Sequence, residues 1–356
     1  MRIIELRAEH FRNYDKVFLK PHPSFNILHG ANGQGKTNLV EAISLFSNGK
    51  SYRTVRDCEA IRFGEERATL NIRFSSRGME HTGEIIIADK KSASLNGVPI
   101  SRLSELVGFF NVVVFTPDHL SLIKDGPGVR RQFLDGFLSQ IKPVYFKTLM
   151  SYYRILHQRN HLLKTRAPSV KDSISVWNET LAQYGSAICD YREKAIREIE
   201  KYAAHFTGEI TGGKETLSFS YMPGVKGDYH DIDAYIAQLE RNFERELEHG
   251  MTLVGPHRDD FEPCLSGKSL RRFGSQGQVR TCVIATKLAE CEVIKEFMGE
   301  YPVLLLDDIL SELDEGRRAY LLGNISDKQV FLTCTEPERI SNDAAYFKIE
   351  NGRIIQ

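Results

Sequence analysis

No run in this chain approaches the ~20 consecutive apolar residues that a helix needs to cross a bilayer, so a membrane-spanning helix is not expected. The opening "MRIIELRAEHFRNYDK" mixes charges into its apolar positions as a strand does, unlike a signal peptide. A soluble, cytoplasmic protein with no membrane association is the expectation. The six cysteines (Cys58, Cys189, Cys264, Cys282, Cys291, Cys334) include no CxxC pair and no histidine partner at zinc spacing. That argues against a structural zinc site and leaves reduced, mostly buried thiols. Net charge is missing too: Lys plus Arg and Asp plus Glu are both 47. Any contact with a polyanion must come from a local patch and not from the global field. Repeats and low-complexity linkers are also lacking.

What is present is a chain of 356 residues, 41% hydrophobic and 26% charged, long enough for two or three lobes. The first 115 residues favour strands: "RIIELRAE", "KVFLK", "SFNILH", "RATLNIRFSS", "GEIIIA" and "NVVVFT" alternate or run apolar. One helix, "KTNLVEAISLFS", interrupts them. From Pro117 the texture turns helical to about residue 250, broken by the strand-like "ETLSFSYMP". A helix over 278–298, the apolar run "YPVLLLDD" and an alternating tail follow. The pattern predicts α/β at both ends, residues 1–115 and 300–356, with a mainly helical lobe of residues 116–299 inserted between them.

"GANGQGKT" fits GxxxxGK[ST], with an apolar strand before it and an amphipathic helix after it. Such a loop, Gly30, Ala31, Asn32, Gly33, Gln34, Gly35, Lys36, Thr37 and Asn38, cradles phosphates. Backbone N–H groups of residues 33–36 wrap the anion, Lys36 reaches the terminal phosphates, and Thr37 offers an oxygen to Mg²⁺ at a helix N-terminus. The partner of such a loop is an apolar strand ending in an acid, and "VLLLDD" supplies it: Asp307 for the metal, Asp308 to polarise the attacking water. Just before that strand, "GSQGQ" opens another helix with Ser275 and Gly277. Read alone it is a capped loop. Read with the first loop it is a second anion site, and one γ-phosphate has no use for two sites unless a second copy of the chain supplies one of them.

Loop, glycine-serine signature, acid-terminated strand and "SELD", in this order, resemble the ATP-binding-cassette head domains of the SMC and DNA-repair type. Within them the chain is similar to the bacterial recombination mediators along nearly its whole length, through "LRAEHFRNY", "GANGQGKTNLVEAI", "GKSYRT", "VVFTPDHLSLIKDGPGVRRQFLD", "LVGPHRDDF", "GSQGQVR", "LLLDDILSELD" and "QVFLTCTE". The resemblance implies an ABC-type P-loop ATPase head with mixed sheets in lobe I and a helical lobe II that carries the signature. ATP and Mg²⁺ are the implied cofactors, with two ATPs trapped in a homodimer. Ser275 and Gly277 then face the partner's γ-phosphate, and residues 311–314 couple the two sites. The same resemblance implies a clamp on junctions of single- and double-stranded DNA, cooperation with RecR and RecO, loading of RecA, support of the SOS response and DNA-stimulated ATP hydrolysis. The chain departs from the wider class in three places. Asp308 replaces the usual Glu, which predicts slow hydrolysis. Thr333, Cys334 and Thr335 stand where a switch histidine is usual, so the γ-phosphate sensor is either Thr333 or absent. No glutamine stands at the lobe-joining position near "FTPDH".

Between Asp135 and Asp172 there is no acid, while Lys142, Lys147, Arg154, Arg159, Lys164, Arg166 and Lys171 fall there among Tyr145, Phe146, Tyr152 and Tyr153. Cations and stacking aromatics are the ingredients of sequence-blind DNA binding, so Lys147, Arg154, Arg159 and Lys164 are the candidate DNA contacts; a solvated helix face is the alternative. Arg130 and Arg131 can serve phosphate or pair with acids such as Asp135. Arg53, His257 and Arg258 can lie near the nucleotide or the dimer seam. The rival functions are a transporter's soluble ATPase subunit, a simple P-loop kinase or GTPase, and a DNA-binding scaffold without enzyme activity. The long helical middle argues against the first and the signature against the second.

Overall fold

The computed structural model describes residues 1–54, 56–100, 105–165, 170–337, 340 and 343–355. The chain divides into two compact units, Met1–Leu120 with Val283–Gln356, and Ser121–Cys282. The dividing line falls inside the helix Gln276–Met298.

The first unit holds two six-stranded sheets. One is antiparallel, in the order Tyr14–Leu19, Arg2–Phe11, Ala68–Ser76, Met79–Ile87, Ser92–Leu95, Val98–Ile100. Along Ala68–Ser76 buried residues alternate with half-buried ones without a break, the mark of a sheet packed chiefly on one face. The second sheet runs Arg353–Ile355, Ala344–Glu350, Phe25–His29, Val330–Cys334, Val303–Asp307, Val112–Phe115, and every pairing but the first is parallel. Strand Val303–Asp307 is buried throughout, as a central parallel strand must be. Helix Lys36–Asn48 lies between the sheets, with residues 39–47 all buried. Its Leu39, Ile43 and Phe46 join one core with Leu6, Phe11, Ile72 and Phe74 from one sheet and Leu28, Leu305 and Phe331 from the other. A helix buried on every side needs a layer on every side.

The second unit is mainly helical: Pro127–Ile141, Pro143–Thr165, the long Val170–Thr211, Ile232–Arg241 and Phe243–His249, with shorter turns of helix at Ser121–Lys124 and Leu270–Phe273. A three-stranded antiparallel sheet, Lys268–Ser269, Asp260–Leu265, Leu217–Met222, completes it. Its interior is built on arginine ion pairs as well as apolar contacts. Arg130 is fully buried and grips Asp260 with two nitrogens at 2.6 and 3.0 Å. Arg192, also fully buried, joins Asp135 at 2.7 Å and Asp259 at 2.8 Å. Buried charge is tolerated where geometry and hydrogen bonds satisfy it, and here each arginine has its carboxylate.

These pairs correct part of the DNA expectation. Arg159 is fully buried and bonded to Glu246 at 2.7 Å, to Asn178 at 3.0 Å and to Thr252 at 2.8 Å, so it holds helices together and offers nothing to a phosphate. Tyr145 and Tyr152 are buried with it. Lys147, Arg154 and Lys164 are exposed. Arg166 lies outside the described residues, as does the side chain of Lys171. Arg130 pairs with Asp260 and not with Asp135, while Arg131 donates to the Asp259 carbonyl at 2.8 Å. His257 is enclosed between Tyr152 and the Thr252 carbonyl, a structural pairing.

None of the six cysteines forms a disulfide; Cys189, Cys282 and Cys291 are buried and Cys58 is exposed. Among the described residues four strands went unpredicted. Asp260–Leu265 alternates in burial, but its acids and Pro263 mask the pattern, and Lys268–Ser269 is two residues long. Ser92–Leu95 and Val98–Ile100 are short and poorly buried, and the second contains Pro99, so neither shows a strand's apolar alternation. Their turn did carry a signal, Asn96 and Gly97, both at positive φ. No helix among the described residues is long and apolar enough to cross a membrane.

Candidate functional site

In an open parallel sheet the ligand crevice lies beyond the carboxyl ends of the strands. Three strands end together here. Parallel registers pair Thr333 with Leu28 and Asp307 with Thr333, so the loop after Phe25–His29, the acid of Val303–Asp307 and the end of Val330–Cys334 converge from distant parts of the sequence.

The loop is shaped by close packing. A Cβ on Gly30, whose φ is +145°, would lie 2.3 Å from the Ile349 carbonyl oxygen. A Cβ on Gly35, at φ +117°, would lie 2.7 Å from Asn13 Oδ1 and 2.9 Å from the Tyr14 hydroxyl. Only glycine fits at either place. Asn13, in the turn after the first strand, and Tyr14, at the start of the second, brace the loop: Asn13 donates to the Gln34 carbonyl at 2.8 Å and Tyr14 to the Gly35 carbonyl at 3.0 Å. Asn38 donates to Asn13 Oδ1 at 2.8 Å. Helix Lys36–Asn48 starts with no acidic residue in its first turn and no side-chain cap, so its positive end is open to an anion.

Lys36 folds back, donating to the carbonyls of Gly30 at 2.6 Å and Ala31 at 2.9 Å. Burial lowers its pKa, against Asp308, Cys334 and Asp307, which raise it. Thr37 Oγ1 donates to Asp307 Oδ1 at 2.8 Å across 270 positions of sequence. Thr333 Oγ1 donates to the same oxygen at 2.8 Å and accepts the Asp308 N–H at 2.9 Å. Tyr52 donates to the other oxygen, Asp307 Oδ2, at 3.3 Å; burial, then Asp307 and Glu41, push its phenol pKa up.

The two acids thus differ in kind. Asp307 is buried and held by three hydroxyls, while Asp308 is exposed and sits at φ 55°, a left-handed conformation that costs a non-glycine residue on the order of 1 kcal/mol. Its N–H bond to Thr333 and the Ser311 hydroxyl on its carbonyl at 2.7 Å hold it there. Both hydrogen-bonding roles of the buried Thr333 hydroxyl are therefore engaged on the acids. In this arrangement Thr333 braces the two acids.

Beside the loop, the fully buried Glu41 carboxylate receives Arg12 at 2.6 Å, Ser51 at 2.6 Å and Arg53 at 3.2 Å. Arg53 also donates to Asn38 Oδ1 at 2.7 Å, which places it against the phosphate loop. Asn13, Tyr14 and Tyr52 were missed in the sequence because their roles depend on long-range contacts that no local pattern encodes. In the stretch "FTPDH", near which no lobe-joining glutamine was found, His119 Nδ1 accepts the Thr116 N–H at 3.0 Å.

The signature belongs to the second unit. Ser275 Oγ accepts the Gln278 N–H at 3.3 Å and Gln278 Oε1 accepts the Ser275 N–H at 2.9 Å, a reciprocal cap at the head of the helix from Gln276. The S-x-x-Q spacing could have announced it. Ser275 is exposed and Gly277 half-buried. Asp314 caps the helix Glu315–Gly323 by accepting from the Arg317 N–H at 3.0 Å.

Comparison with known proteins agrees with this geometry. The family model for the RecF/RecN/SMC N-terminal domain matches residues 2–353. The chain is 40% identical over 362 residues to the DNA replication and repair protein RecF of Clostridium acetobutylicum, covering 100% of both. It is 40% identical over 370 residues to the protein of that name from Staphylococcus aureus, again covering 100% of both. A solved structure of the recombination mediator protein RecF with ATP, from the RecFOR pathway, superposes with a TM-score of 0.92 at 34% identity, over 99% of this chain and 96% of that one. An SMC head bound to the winged-helix domain of ScpA shares the fold, at a TM-score of 0.59 and 16% identity over 100% of this chain and 97% of that one. A phosphate loop braced against an acid-terminated strand, with a serine-capped signature helix elsewhere in the chain, is the apparatus of that group, and the chain belongs to the RecF family of recombination mediators among the SMC-type ABC ATPases.

Proposed function

We propose that the chain is an ATP-driven dimer switch on DNA, serving recombinational repair and replication restart in the cytoplasm. The unit Met1–Leu120 with Val283–Gln356 acts as the ATPase lobe, and Ser121–Cys282 as the helical lobe that carries the signature. One observation carries the reading: the Thr37 hydroxyl and the Asp307 carboxylate meet at 2.8 Å beside a phosphate loop, while Ser275 heads a separate helix with its side chain exposed.

ATP binds along residues 30–38, with Lys36 leaving the Gly30 and Ala31 carbonyls for the terminal phosphates. Thr37 and Asp307 present hard oxygen donors of the kind Mg²⁺ takes, and would hold it. Bound there, the ion neutralises phosphate charge. Asp308, exposed, orients the attacking water. Ser275 and Gly277 complete the site of a second copy from across the dimer, and residues 311–314 report the state of one site to the other. The paired heads clamp DNA at junctions of single and double strands and, with RecO and RecR, help load RecA and support the SOS response; slow, DNA-stimulated hydrolysis releases them. Lys147, Arg154 and Lys164 are candidate DNA contacts on an exposed face. Family membership sets the transporter-subunit alternative aside.

Light scattering on the purified chain tests the switch. With ATP and Mg²⁺ the mass should double and DNA binding should rise, and Lys36→Ala should abolish both. A chain that stays monomeric at saturating ATP would sink the reading, and a turnover as fast as a transporter's would sink its slow-switch part.

A further inference from the structure

A cleft of about 670 Å³ opens in the helical unit, between the turn at 224–227, the junction of helices Ile232–Arg241 and Phe243–His249, and the segment 253–258. Lys226, Arg241, Arg245 and Arg258 line it, and no carboxylate does among the described residues. All four cations are exposed, and none of them enters an ion pair among the described residues. The contrast with the rest of this unit is sharp, since Arg130, Arg159 and Arg192 each have a carboxylate partner. In a chain with equal numbers of acids and bases, four unpaired cations around one concavity are a local field with a purpose to be found.

The cleft is also built. Gln238 braces the turn from both sides, accepting the Lys226 N–H at 2.9 Å and donating to the Lys226 carbonyl at 2.6 Å. The buried Asp259 accepts the Gly224 N–H at 2.7 Å, and Gly255 donates to the Gly224 carbonyl at 3.1 Å. A Cβ on Gly224 would lie 2.2 Å from the Gly255 carbonyl oxygen, so the two segments touch backbone to backbone. Arg258 is steadied by the Thr252 carbonyl at 3.3 Å. The turn is therefore pinned, while the charged ends of Lys226, Arg241 and Arg245 stay uncommitted.

We propose that this cleft is a DNA-backbone site, in which Lys226, Arg241, Arg245 and Arg258 receive successive phosphodiester groups. Arginine forks suit phosphate oxygens, and a cleft with only Leu253 and Val254 as apolar lining lacks the anchors on which protein partners dock. The exposed cations of helix Pro143–Thr165 belong to the same unit, and that helix is tied through Arg159 and Glu246 to the helix bearing Arg245. The proposal rests on the reading of the chain as a DNA-binding switch.

The test is fluorescence anisotropy on a labelled gapped duplex, with ATP, across a salt series. Arg241→Glu with Arg245→Glu should weaken binding by about tenfold or more and flatten the plot of log affinity against log salt by about two, roughly one per lost phosphate contact. Lys226→Glu, on the turn alone, should act in the same direction with about half the change in slope. ATP-dependent dimerisation, followed by light scattering, should survive in all these variants. Wild-type affinity and slope in variants that still dimerise would overturn the cleft and leave the switch standing; a wild-type chain that bound no DNA would overturn both. Pyrophosphate bound by a Lys36→Ala chain through Arg241 and Arg245, with DNA binding unaltered by the reversals, would assign the cleft to a free phosphate ligand and overturn the DNA site.

Discussion

At the scale of the residue, Thr333 does the most for its size. One hydroxyl donates to the Asp307 carboxylate and accepts the Asp308 N–H, so it ties the two neighbouring acids together. Thr333→Val keeps the shape and deletes both bonds, leaving the Asp308 N–H without its partner, at a cost of about 1–3 kcal/mol. Hydrolysis should fall by about one to two orders of magnitude while nucleotide affinity changes little, and Thr333→Ser should restore turnover. Steady-state turnover beside equilibrium nucleotide binding checks this; an equal loss in both would mean that Thr333 meets the nucleotide directly. That the glycine loop and the acid after the apolar strand meet was legible in the sequence because their residue types are set locally: glycine where a Cβ cannot go, and a hydroxyl and a carboxylate that come within 2.8 Å. Thr333 was read as a possible contact to phosphate because its neighbours in space, unlike those in sequence, could not be seen.

At the scale of the element, helix Pro143–Thr165 shows how a one-dimensional charge pattern misleads. Its acid-free run looked uniformly basic, yet the helix turns Arg159 inward onto Glu246 and Lys147 and Arg154 outward. The counter-charge lay 87 positions away in sequence, Arg159 to Glu246, out of reach of any window. Arg159→Leu should destabilise the unit by about 3–5 kcal/mol, because Glu246 is then buried alone. Arg154→Glu, at an exposed position, should leave the melting temperature near wild type. Calorimetry on the two variants checks this, and a wild-type melting point in Arg159→Leu would contradict the burial argument. Most strands of the two large sheets were readable from their apolar runs, whereas Ser92–Leu95 and Val98–Ile100, at one end of the antiparallel sheet, were not, since short strands with little to bury carry little pattern.

At the scale of the whole molecule, acid should unfold the helical unit through His257. The ring is neutral, donating from Nε2 to the Thr252 carbonyl at 2.9 Å and leaving Nδ1 for the Tyr152 hydroxyl at 2.6 Å. Burial lowers its pKa to about 4; the Thr252 bond opposes this, and Arg258, Arg131 and Arg159 add to it. An unfolded histidine titrates near 6.5, so between those values the unfolded chain binds the extra proton and stability rises with pH. Stability should therefore be lost as pH falls from about 6.5 toward 4, by on the order of 2–3 kcal/mol, and His257→Gln should flatten that slope in thermal melts at stepped pH. The topology of the other unit has a consequence for how the chain is made. Strand Phe25–His29 pairs only with Val330–Cys334 and Ala344–Glu350, so its two edges stay open while some 300 intervening residues leave the ribosome. During that interval an apolar strand and the loop behind it wait unpaired, a hazard for misassembly. A chain stopped at residue 329 should emerge insoluble or bound to chaperones, although it contains the whole phosphate loop, and a soluble product with native thermal stability would refute this. Nucleotide competence is thus withheld from the nascent protein until its final strands arrive, which makes the phosphate loop a check on completed synthesis as well as a seat for ATP.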